Sequence, residues 1–172
     1  MGYKSHFPSS SGYCNLDAAA TGLLPGSVAA FIFNYHLKSC VNAGRSAYRR
    51  SIDVTGMVDE AREKIALFLG TGKNNLAFVP GATHAINWVA KGLGLSHGDT
   101  VLCTVADHHA NILPWVDLKK IGTRVVFAAC DVLGRIDLED FERKARGARV
   151  AAFVAASNVT GAIQPIRELA GI

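Results

Sequence analysis

The 172-residue sequence lacks the patterns that mark several common protein classes. It has four cysteines but no Cys-x-x-Cys pair, so a zinc ribbon is not predicted, and this cysteine usage fits a reducing compartment. No apolar run approaches the roughly 18 residues that a membrane span needs. The first six residues contain no apolar signal core. These absences predict a cytoplasmic protein without a membrane partner.

Charge is also scarce in this chain. Charged residues make up 19% of the sequence and hydrophobic residues 49%, which predicts a sizeable core and argues against disorder. The basic residues are dispersed, and no basic stripe with interleaved aromatic residues is present, so no nucleic-acid partner is predicted. The net charge of +4 slightly favours anionic small molecules as ligands.

Familiar nucleotide and hydrolase motifs are missing as well. The Gly92-Leu93-Gly94 triplet follows a predicted helix rather than a strand, and the third glycine of a dinucleotide fingerprint is absent. Residues 70–73 lack the earlier glycine of a P-loop, and no Gly-x-Ser-x-Gly segment occurs. The sequence therefore gives no support for a Rossmann dinucleotide site, a P-loop or an α/β-hydrolase nucleophile.

Predicted strands and helices alternate along most of the chain. Strands are predicted at residues 76–79, 100–105, 124–129 and 149–156, with a shorter one at 13–16. Helices are predicted at residues 25–37, 53–69, 82–93, 111–120 and 137–145, and residues 41–52 are predicted to be a loop. Because the strands are nearly continuous apolar runs, the alternation predicts an α/β fold with a parallel sheet that is buried on both faces.

The domain prediction is a loose leader at residues 1–12 followed by one partial domain at 13–172. A last helix begins near Gln164, shortly before the sequence stops at Ile172. Since a mean helix runs about 11 residues, we expect the sheet to continue in a longer protein. The alternative is a small domain that ends on a short helix.

The first candidate site residue is Thr83. A short apolar run stops at Pro80-Gly81 and a helical pattern starts at once. The first N–H groups of such a helix lack intrahelical partners and, with the helix dipole, favour a phosphate, to which Thr83 can add a hydroxyl. The alternative is that Gly81 only makes a turn and Thr83 only caps the helix.

Two further candidates follow the next predicted strands. His108, after strand 100–105, can stack on an aromatic ligand, act as a base or simply be structural. A metal site is not predicted, because His108 and His109 point apart and no third ligand stands at a standard spacing. Asn158, after strand 149–156, offers a donor and an acceptor, or is only a turn residue. Since parallel strands end at one sheet edge, we expect Thr83, His108 and Asn158 to converge on one phosphorylated aromatic ring.

Five short motifs occur in order along the chain. They are LDAAAT at residues 16–21, NAGRSAY at 42–48, GATHAIN at 81–87, DHHANILPW at 107–115 and SNVTG at 157–161. They are similar to the motifs L-D-x-A-A-T, N-x-H-R-G-x-H, G-T-T-E-A-I-N, E-H-H-A-N-I-V-P-W and S-N-V-x-G. The sequence thereby resembles the amino-terminal half of the pyridoxal-phosphate-dependent class V aminotransferases, most closely the cysteine desulfurase and selenocysteine lyase group.

This resemblance implies a fold, a cofactor and roles for four residues. The fold would be the three-layer parallel sheet of the fold type I large domain, incomplete at its carboxyl end, and the cofactor would be pyridoxal 5'-phosphate. The N–H groups around Ala82, together with Thr83, would hold the cofactor phosphate. His108 would stack on the pyridine ring and serve as a catalytic residue in proton transfer, and Asn158 would bond the phenolic oxygen.

The implied activity is removal of sulfur or selenium from a small cysteine-type amino acid, in a homodimer that works with a sulfur acceptor protein. An ordinary class V transaminase, or a non-catalytic remnant that binds a phosphate ligand or a partner, are the alternatives. Ala82 replaces a family threonine, Gly44 and Tyr48 replace loop histidines, and His84 replaces a glutamate. The family's Schiff-base lysine, in a Ser-x-His-Lys context, would lie beyond Ile172, so we expect this chain alone not to catalyse the reaction.

Overall fold

The computed structural model describes residues 3–172, and the chain divides into two compact units, one ending at Phe78 and the other beginning at Val79. The amino-terminal unit contains helices α1 (Gly26–Lys38) and α2 (Arg49–Phe68). Short 3-10 turns lie at Tyr3–His6, Pro8–Ser10 and Lys73–Asn75. Both predicted helices are confirmed. The strand predicted at 13–16 is wrong, because these residues follow a turn without joining a sheet.

Helix α2 begins four residues earlier than predicted, inside the segment predicted to be a loop. Ser51, fully buried in its first turn, donates its hydroxyl to the carbonyl of Asn42 at 2.6 Å. That contact fixes the preceding loop against the helix, a tertiary effect that sequence periodicity does not report. In contrast to α2, helix α1 has no buried residue. Its exposed apolar side chains, called here the α1 apolar surface, are Val28, Phe31, Ile32, Phe33 and Leu37.

The carboxyl-terminal unit is built on a parallel three-stranded sheet in the order β2-β1-β3. The strands are β1 (Thr100–Thr104), β2 (Arg124–Ala128) and β3 (Val150–Ala151). The helices are α3 (Ala82–Gly92), α4 (Leu113–Asp117, continued by a 3-10 turn at Leu118–Ile121), α5 (Leu138–Ala145) and α6 (Ile166–Gly171). The predicted α/β class with a parallel sheet is confirmed.

All five residues of the central strand β1 are buried, and its side chains alternate between two apolar clusters. Val101 and Cys103 pack with residues of α3 and α4, including Trp115. Leu102 packs with residues of α5 and α6, including Phe141. Helices therefore cover both faces of the sheet, and the absence of polar alternation in this strand follows from its double burial.

Two predicted strands differ from the structure. Residues 76–79 lie outside the sheet, although Leu76 has extended backbone angles. The strand predicted at 149–156 is limited to β3. The N–H of Ala152 still donates to the carbonyl of Leu102 at 2.8 Å, but the N–H of Val154 donates to a side-chain oxygen of Asp107 at 2.7 Å. A carboxylate thus replaces the strand carbonyl, and regular pairing stops.

A buried carboxylate joins α5 to the end of β2. Asp140 is 8% exposed and accepts the N–H of Ala129 at 2.8 Å and the ammonium of Lys144 at 2.7 Å, and it pairs with Arg143. The bonds from Lys144 and Ala129, with the charges of Lys144 and Arg143, lower the pKa of Asp140 from its ordinary value.

No helix in the described part of the chain has the length and apolar character needed to cross a membrane.

Replacing Asp140 with Asn is expected to destabilise the chain, because the amide removes the charged acceptor of Lys144 and Ala129. The stabilisation is present above the ordinary carboxyl pKa of 3.8 and disappears as the pH falls through the lower folded value. Urea midpoints of parent and variant should therefore differ clearly at neutral pH and converge in acid.

Asp117→Asn is the matched control, since Asp117 pairs with Lys120 on the exposed surface of one helical turn. Such pairs contribute little to stability, so its midpoint should stay close to that of the parent. An Asp140→Asn variant whose deficit remains constant down to acid pH would contradict the assignment.

Candidate functional site

The amino terminus of α3 is open to a ligand. Gly81 precedes the helix in an extended conformation (φ 170°, ψ 173°) and supplies no side-chain cap, and the first helical turn contains no acidic residue. Ala85 donates back to the carbonyl of Gly81, so the N–H groups of Ala82, Thr83 and His84 have no intrahelical acceptor. A Cβ placed on Gly81 would meet no atom within 4 Å. Free donors, the positive helix end and open space suit an anion.

A groove of about 540 Å³ runs along this helix, and we call it the α3–α4 groove. One wall carries Thr83, Asn87 and Lys91, and the facing side includes His109, Ala110 and Leu113. The three α3 residues are four apart, so one helix face presents a hydroxyl, an amide and an ammonium in line. The groove therefore joins the predicted phosphate residue to the turn that contains His108.

The same helix face borders a second depression of about 550 Å³, lined also by Pro80, His84 and Trp88. The His84 and Trp88 rings stand edge to face with their centroids 4.7 Å apart. Asn87 donates its side-chain amide to the carbonyl of Thr83 at 2.9 Å, which secures the first turn. His84 is thereby held in an aromatic pair beside the helix terminus.

His108 lies on the surface at the start of a 3-10 turn, His109–Asn111. Its Nδ1 accepts the N–H of Ala110 at 3.0 Å. A neutral imidazole has one protonated nitrogen, so this bond assigns the proton to Nε2. In this arrangement neutral His108 offers its neighbours a hydrogen-bond donor at Nε2.

Asp107 is the main acceptor between β1 and this turn. One carboxylate oxygen accepts the N–H and the hydroxyl of Thr104, at 2.9 and 2.7 Å. The other accepts the N–H of Val154 at 2.7 Å and the amide of Asn111 at 3.3 Å. The end of β1, the His108 turn and the segment after β3 are thus joined at one half-buried side chain.

Asn158 is exposed in the turn formed by residues 157–161. The hydroxyl of Ser157 accepts the N–H groups of Val159 and Thr160, each at 3.2 Å, and the N–H of Gly161 bonds the Ser157 carbonyl at 3.0 Å. This compact turn holds the backbone of Asn158 at the surface.

The segment just after the Asn158 turn is joined to the hairpin at residues 130–136, which follows β2. Gln164 is 4% exposed, accepts the N–H of Ile136 at 3.0 Å and donates to the carbonyl of Gly134 at 2.7 Å. Both ends of the buried amide are therefore satisfied by the hairpin backbone.

The thiols near the sheet are poor nucleophiles. Burial, reinforced by the negative charge of Asp107, raises the pKa of Cys103 to about 12. Burial also raises the pKa of Cys130, against hydrogen bonds from Ala106 and Thr104. Because the thiolate is the reactive form, neither thiol is suited to sulfur chemistry at neutral pH.

The structure brings Thr83 to one groove with His109 and Ala110, the neighbours of His108, whereas His108 and Asn158 do not line that groove. Asp107 connects the His108 turn with the segment that leads to Asn158. The ligand roles of Ala82, Thr83, His108 and Asn158 stay predictions. Asn87 and Lys91 were not predicted as site residues, although their four-residue spacing from Thr83 along a predicted helix indicates the shared face. Asp107 was not predicted as a site residue either, because its bond to Val154 joins residues 47 apart in the sequence.

The Nε2 assignment for His108 predicts a specific NMR signature. Long-range proton–nitrogen spectra of the imidazole should show a protonated Nε2 and an unprotonated Nδ1 in the neutral form. Ala110→Pro removes the N–H donor and should abolish the preference for this tautomer. A parent chain with its neutral proton on Nδ1 would contradict the assignment.

Comparison with known proteins identifies the chain's relatives. The family model for aminotransferase class-V matches residues 14–172. A protein from Pyrococcus abyssi named "Probable cysteine desulfurase" is 35% identical over 158 residues, which cover 89% of this chain and 39% of that protein. A Treponema pallidum protein of the same name is 28% identical over an alignment of 179 positions, which covers 99% of this chain and 44% of that protein.

Solved structures agree with this relationship. An apo cysteine desulfurase from Thermococcus onnurineus matches with a TM-score of 0.90 at 30% identity, over 98% of this chain and 43% of its own. The fold of a C-DES mutant, which carries glycine covalently linked to its PLP cofactor, matches with a TM-score of 0.81 at 15% identity. The match covers 99% of this chain and 45% of the mutant's chain. The chain spans less than half the length of these relatives. On the family match over nearly all of its residues, this chain belongs to the aminotransferase class-V family.

Proposed function

We propose that this chain supplies the phosphate- and ring-binding part of a pyridoxal-phosphate-dependent enzyme of the cysteine desulfurase type. The observation that carries the proposal is the amino terminus of α3, which opens onto the α3–α4 groove beside the turn of His108. Family membership supports the same conclusion, because the curated relatives above are named cysteine desulfurases.

Phosphate binding is assigned to the first turn of α3. The N–H groups of Ala82 and Thr83 and the Thr83 hydroxyl would receive the phosphate oxygens, aided by the positive helix end. Lys91 lies two turns along the same groove wall, where its charge adds to the bond from Lys120 in lowering the pKa of the Asp117 carboxyl. Ala82 contributes only its backbone, where the family motif has a second hydroxyl.

Ring binding is assigned to His108 and Asn158. His108 presents a flat ring for stacking and a donor at Nε2, and Asn158 presents an amide donor for the phenolic oxygen. When bound, pyridoxal phosphate acts as an electron sink that stabilises negative charge on the carbon next to the substrate amine. A proton transferred by His108 would leave from Nε2 and return to it, because Nδ1 is held by Ala110.

The substrate is proposed to be a cysteine-type amino acid from which sulfur or selenium is removed. The names of the relatives support this choice over an ordinary transaminase. A separate sulfur acceptor protein is proposed on the family match alone. A protein that contains this chain and the rest of the family's length would test this choice. A desulfurase should form alanine from cysteine and release sulfide when a thiol reductant is added, whereas a transaminase should consume an amino donor without releasing sulfur.

A homodimer is also proposed. The α1 apolar surface supports it, since a run of exposed aromatic and branched residues on one helix is typical of an interface. A cytoplasmic location and the single partial domain at residues 13–172 remain predictions from the sequence.

Thr83→Ala tests the phosphate assignment. Loss of one hydrogen bond to a charged oxygen should weaken pyridoxal phosphate binding by about tenfold or more. Binding of pyridoxal, which lacks the phosphate, should not change. Both dissociation constants are measured by titration calorimetry. Ala82→Thr should strengthen binding of the phosphorylated compound, because it restores the second hydroxyl.

Ser27→Ala is the matched control for Thr83→Ala. Ser27 is the second residue of α1 as Thr83 is the second residue of α3, so the two variants remove equivalent hydroxyls. Ser27→Ala should bind pyridoxal phosphate like the parent. Equal effects of the two variants would remove the phosphate assignment. Binding that depends on Thr83 without any catalysis in the longer protein would favour the non-catalytic alternative.

The chain is also inferred to bind its cofactor without a covalent lysine bond. Its sequence contains no His-Lys pair, so the family's Ser-x-His-Lys context is absent from these residues. After incubation with pyridoxal phosphate and reduction with borohydride, peptide mass spectrometry should find only scattered, non-saturating labelling of lysines. Urea-unfolded chain serves as the reference for non-specific labelling. Stoichiometric labelling of one lysine in the folded chain would refute the inference.

A further inference from the structure

The carboxylate of Asp107 continues the pairing of β1 beyond its last residue. In the ladder between β1 and the β3 segment, Ala152 donates to the carbonyl of Leu102, so Val154 is in register to donate to the carbonyl of Thr104. Instead, Val154 donates to Asp107 at 2.7 Å, and the Thr104 carbonyl accepts the Asp107 N–H at 3.4 Å. The side chain therefore takes the place of a backbone acceptor where the two segments diverge.

Two predicted ring-binding residues follow this junction closely. His108 is the next residue along the chain, and Asn158 lies four residues after Val154. We propose that Asp107 is a positioning residue that sets the geometry of His108 relative to Asn158 by joining the end of β1 to the segment before Asn158. This inference rests on the proposed function, in which those two side chains bind one aromatic ring.

The donor arrangement makes the carboxylate specific for this task. Four donors, from Thr104, Asn111 and Val154, converge on the two oxygens, and Thr104 is only 1% exposed. An asparagine at position 107 has the same size but replaces one carboxylate oxygen with an NH₂ group, which cannot accept a hydrogen bond. The two donors on that oxygen would lose their acceptor, so at least one of the segments joined by Asp107 would lose its bond. A glutamate keeps both acceptors at the end of a longer side chain.

Asp107→Asn is tested against Asp131→Asn as the matched control. Asp131 also accepts two backbone N–H groups after a strand, those of Leu133 and Arg135, each at 2.9 Å, but it has no bond to the His108 turn. Affinities for pyridoxal phosphate and for inorganic phosphate are measured on the full 172-residue chain. Asp107→Asn should weaken pyridoxal phosphate binding about tenfold and leave inorganic phosphate within about twofold of the parent. Asp131→Asn should change neither affinity.

A double-mutant cycle separates positioning from general loss of structure. In an Asn158→Ala background, Asp107→Asn should cost clearly less pyridoxal phosphate affinity than it does alone, because the side chain that it positions is gone. Asp107→Glu should recover part of the affinity. In the ligand-free chain, NMR signals of the His108 imidazole and the Asn158 amide should shift in Asp107→Asn and stay in place in Asp131→Asn.

The outcomes distinguish the two proposals. A parent chain that binds pyridoxal phosphate no better than inorganic phosphate would contradict the proposed function, independently of Asp107. The positioning role alone would be overturned by a different result. In that case the parent prefers pyridoxal phosphate to inorganic phosphate in a Thr83-dependent way, and Asp107→Asn keeps this preference with the NMR signals of His108 and Asn158 unshifted. If Asp107→Asn does not fold, Thr104→Val removes a single donor to the carboxylate. It should then shift the same signals and reduce the same preference, and its failure to do so would overturn the role equally.

Discussion

The complete burial of strand β1 is the constraint on which the carboxyl-terminal unit depends. Its side chains contribute to the apolar clusters on both faces of the sheet, and its backbone pairs with both neighbours. Burial of a side chain such as Val101 or Leu102 stabilises the fold by about 1.5–3 kcal/mol each. Because β3 runs parallel to β1, the turns that contain His108 and Asn158 follow strands that end at the same edge of the sheet.

Aspartate side chains complete the backbone around this strand. Asp99, before β1, accepts the N–H of Ser96 at 2.7 Å, which together with Arg149 lowers its pKa against the opposing effect of burial. Asp107 accepts backbone donors after β1, and Asp131 does so after β2. Short carboxylates of this kind satisfy N–H groups where the chain leaves the sheet and can no longer pair. These carboxylates thereby fix the turns at the ends of the three-stranded sheet.

The sequence predicted the elements whose signals are local. The helix at α3 follows from a Pro-Gly stop and an apolar repeat, and β1 follows from a short apolar run. Where predictions failed, distant partners decided the structure. Residues after β3 are as apolar as a strand. However, the N–H of Val154 donates to Asp107, more than forty residues away in sequence, and regular strand pairing stops there. Helix α2 starts early because a buried Ser51 hydroxyl bonds Asn42. In the candidate site, Thr83 was indicated by the Pro-Gly stop before a helix and His108 by its position after β1. The groove walls required knowledge of how α3 faces α4.

The buried amide of Gln164 has a consequence for the surface turn that contains Asn158. It joins the segment just after that turn to the hairpin after β2, where Gly134 adopts a positive φ of 82°. A Cβ on Gly134 would stand 3.0 Å from the hydroxyl oxygen of Thr160, inside the turn. The absence of a side chain on Gly134 in the hairpin therefore leaves space for Thr160 in the Asn158 turn. A side chain at this glycine would strain the hairpin backbone and press on Thr160, so it would cost stability and displace the turn that contains Asn158.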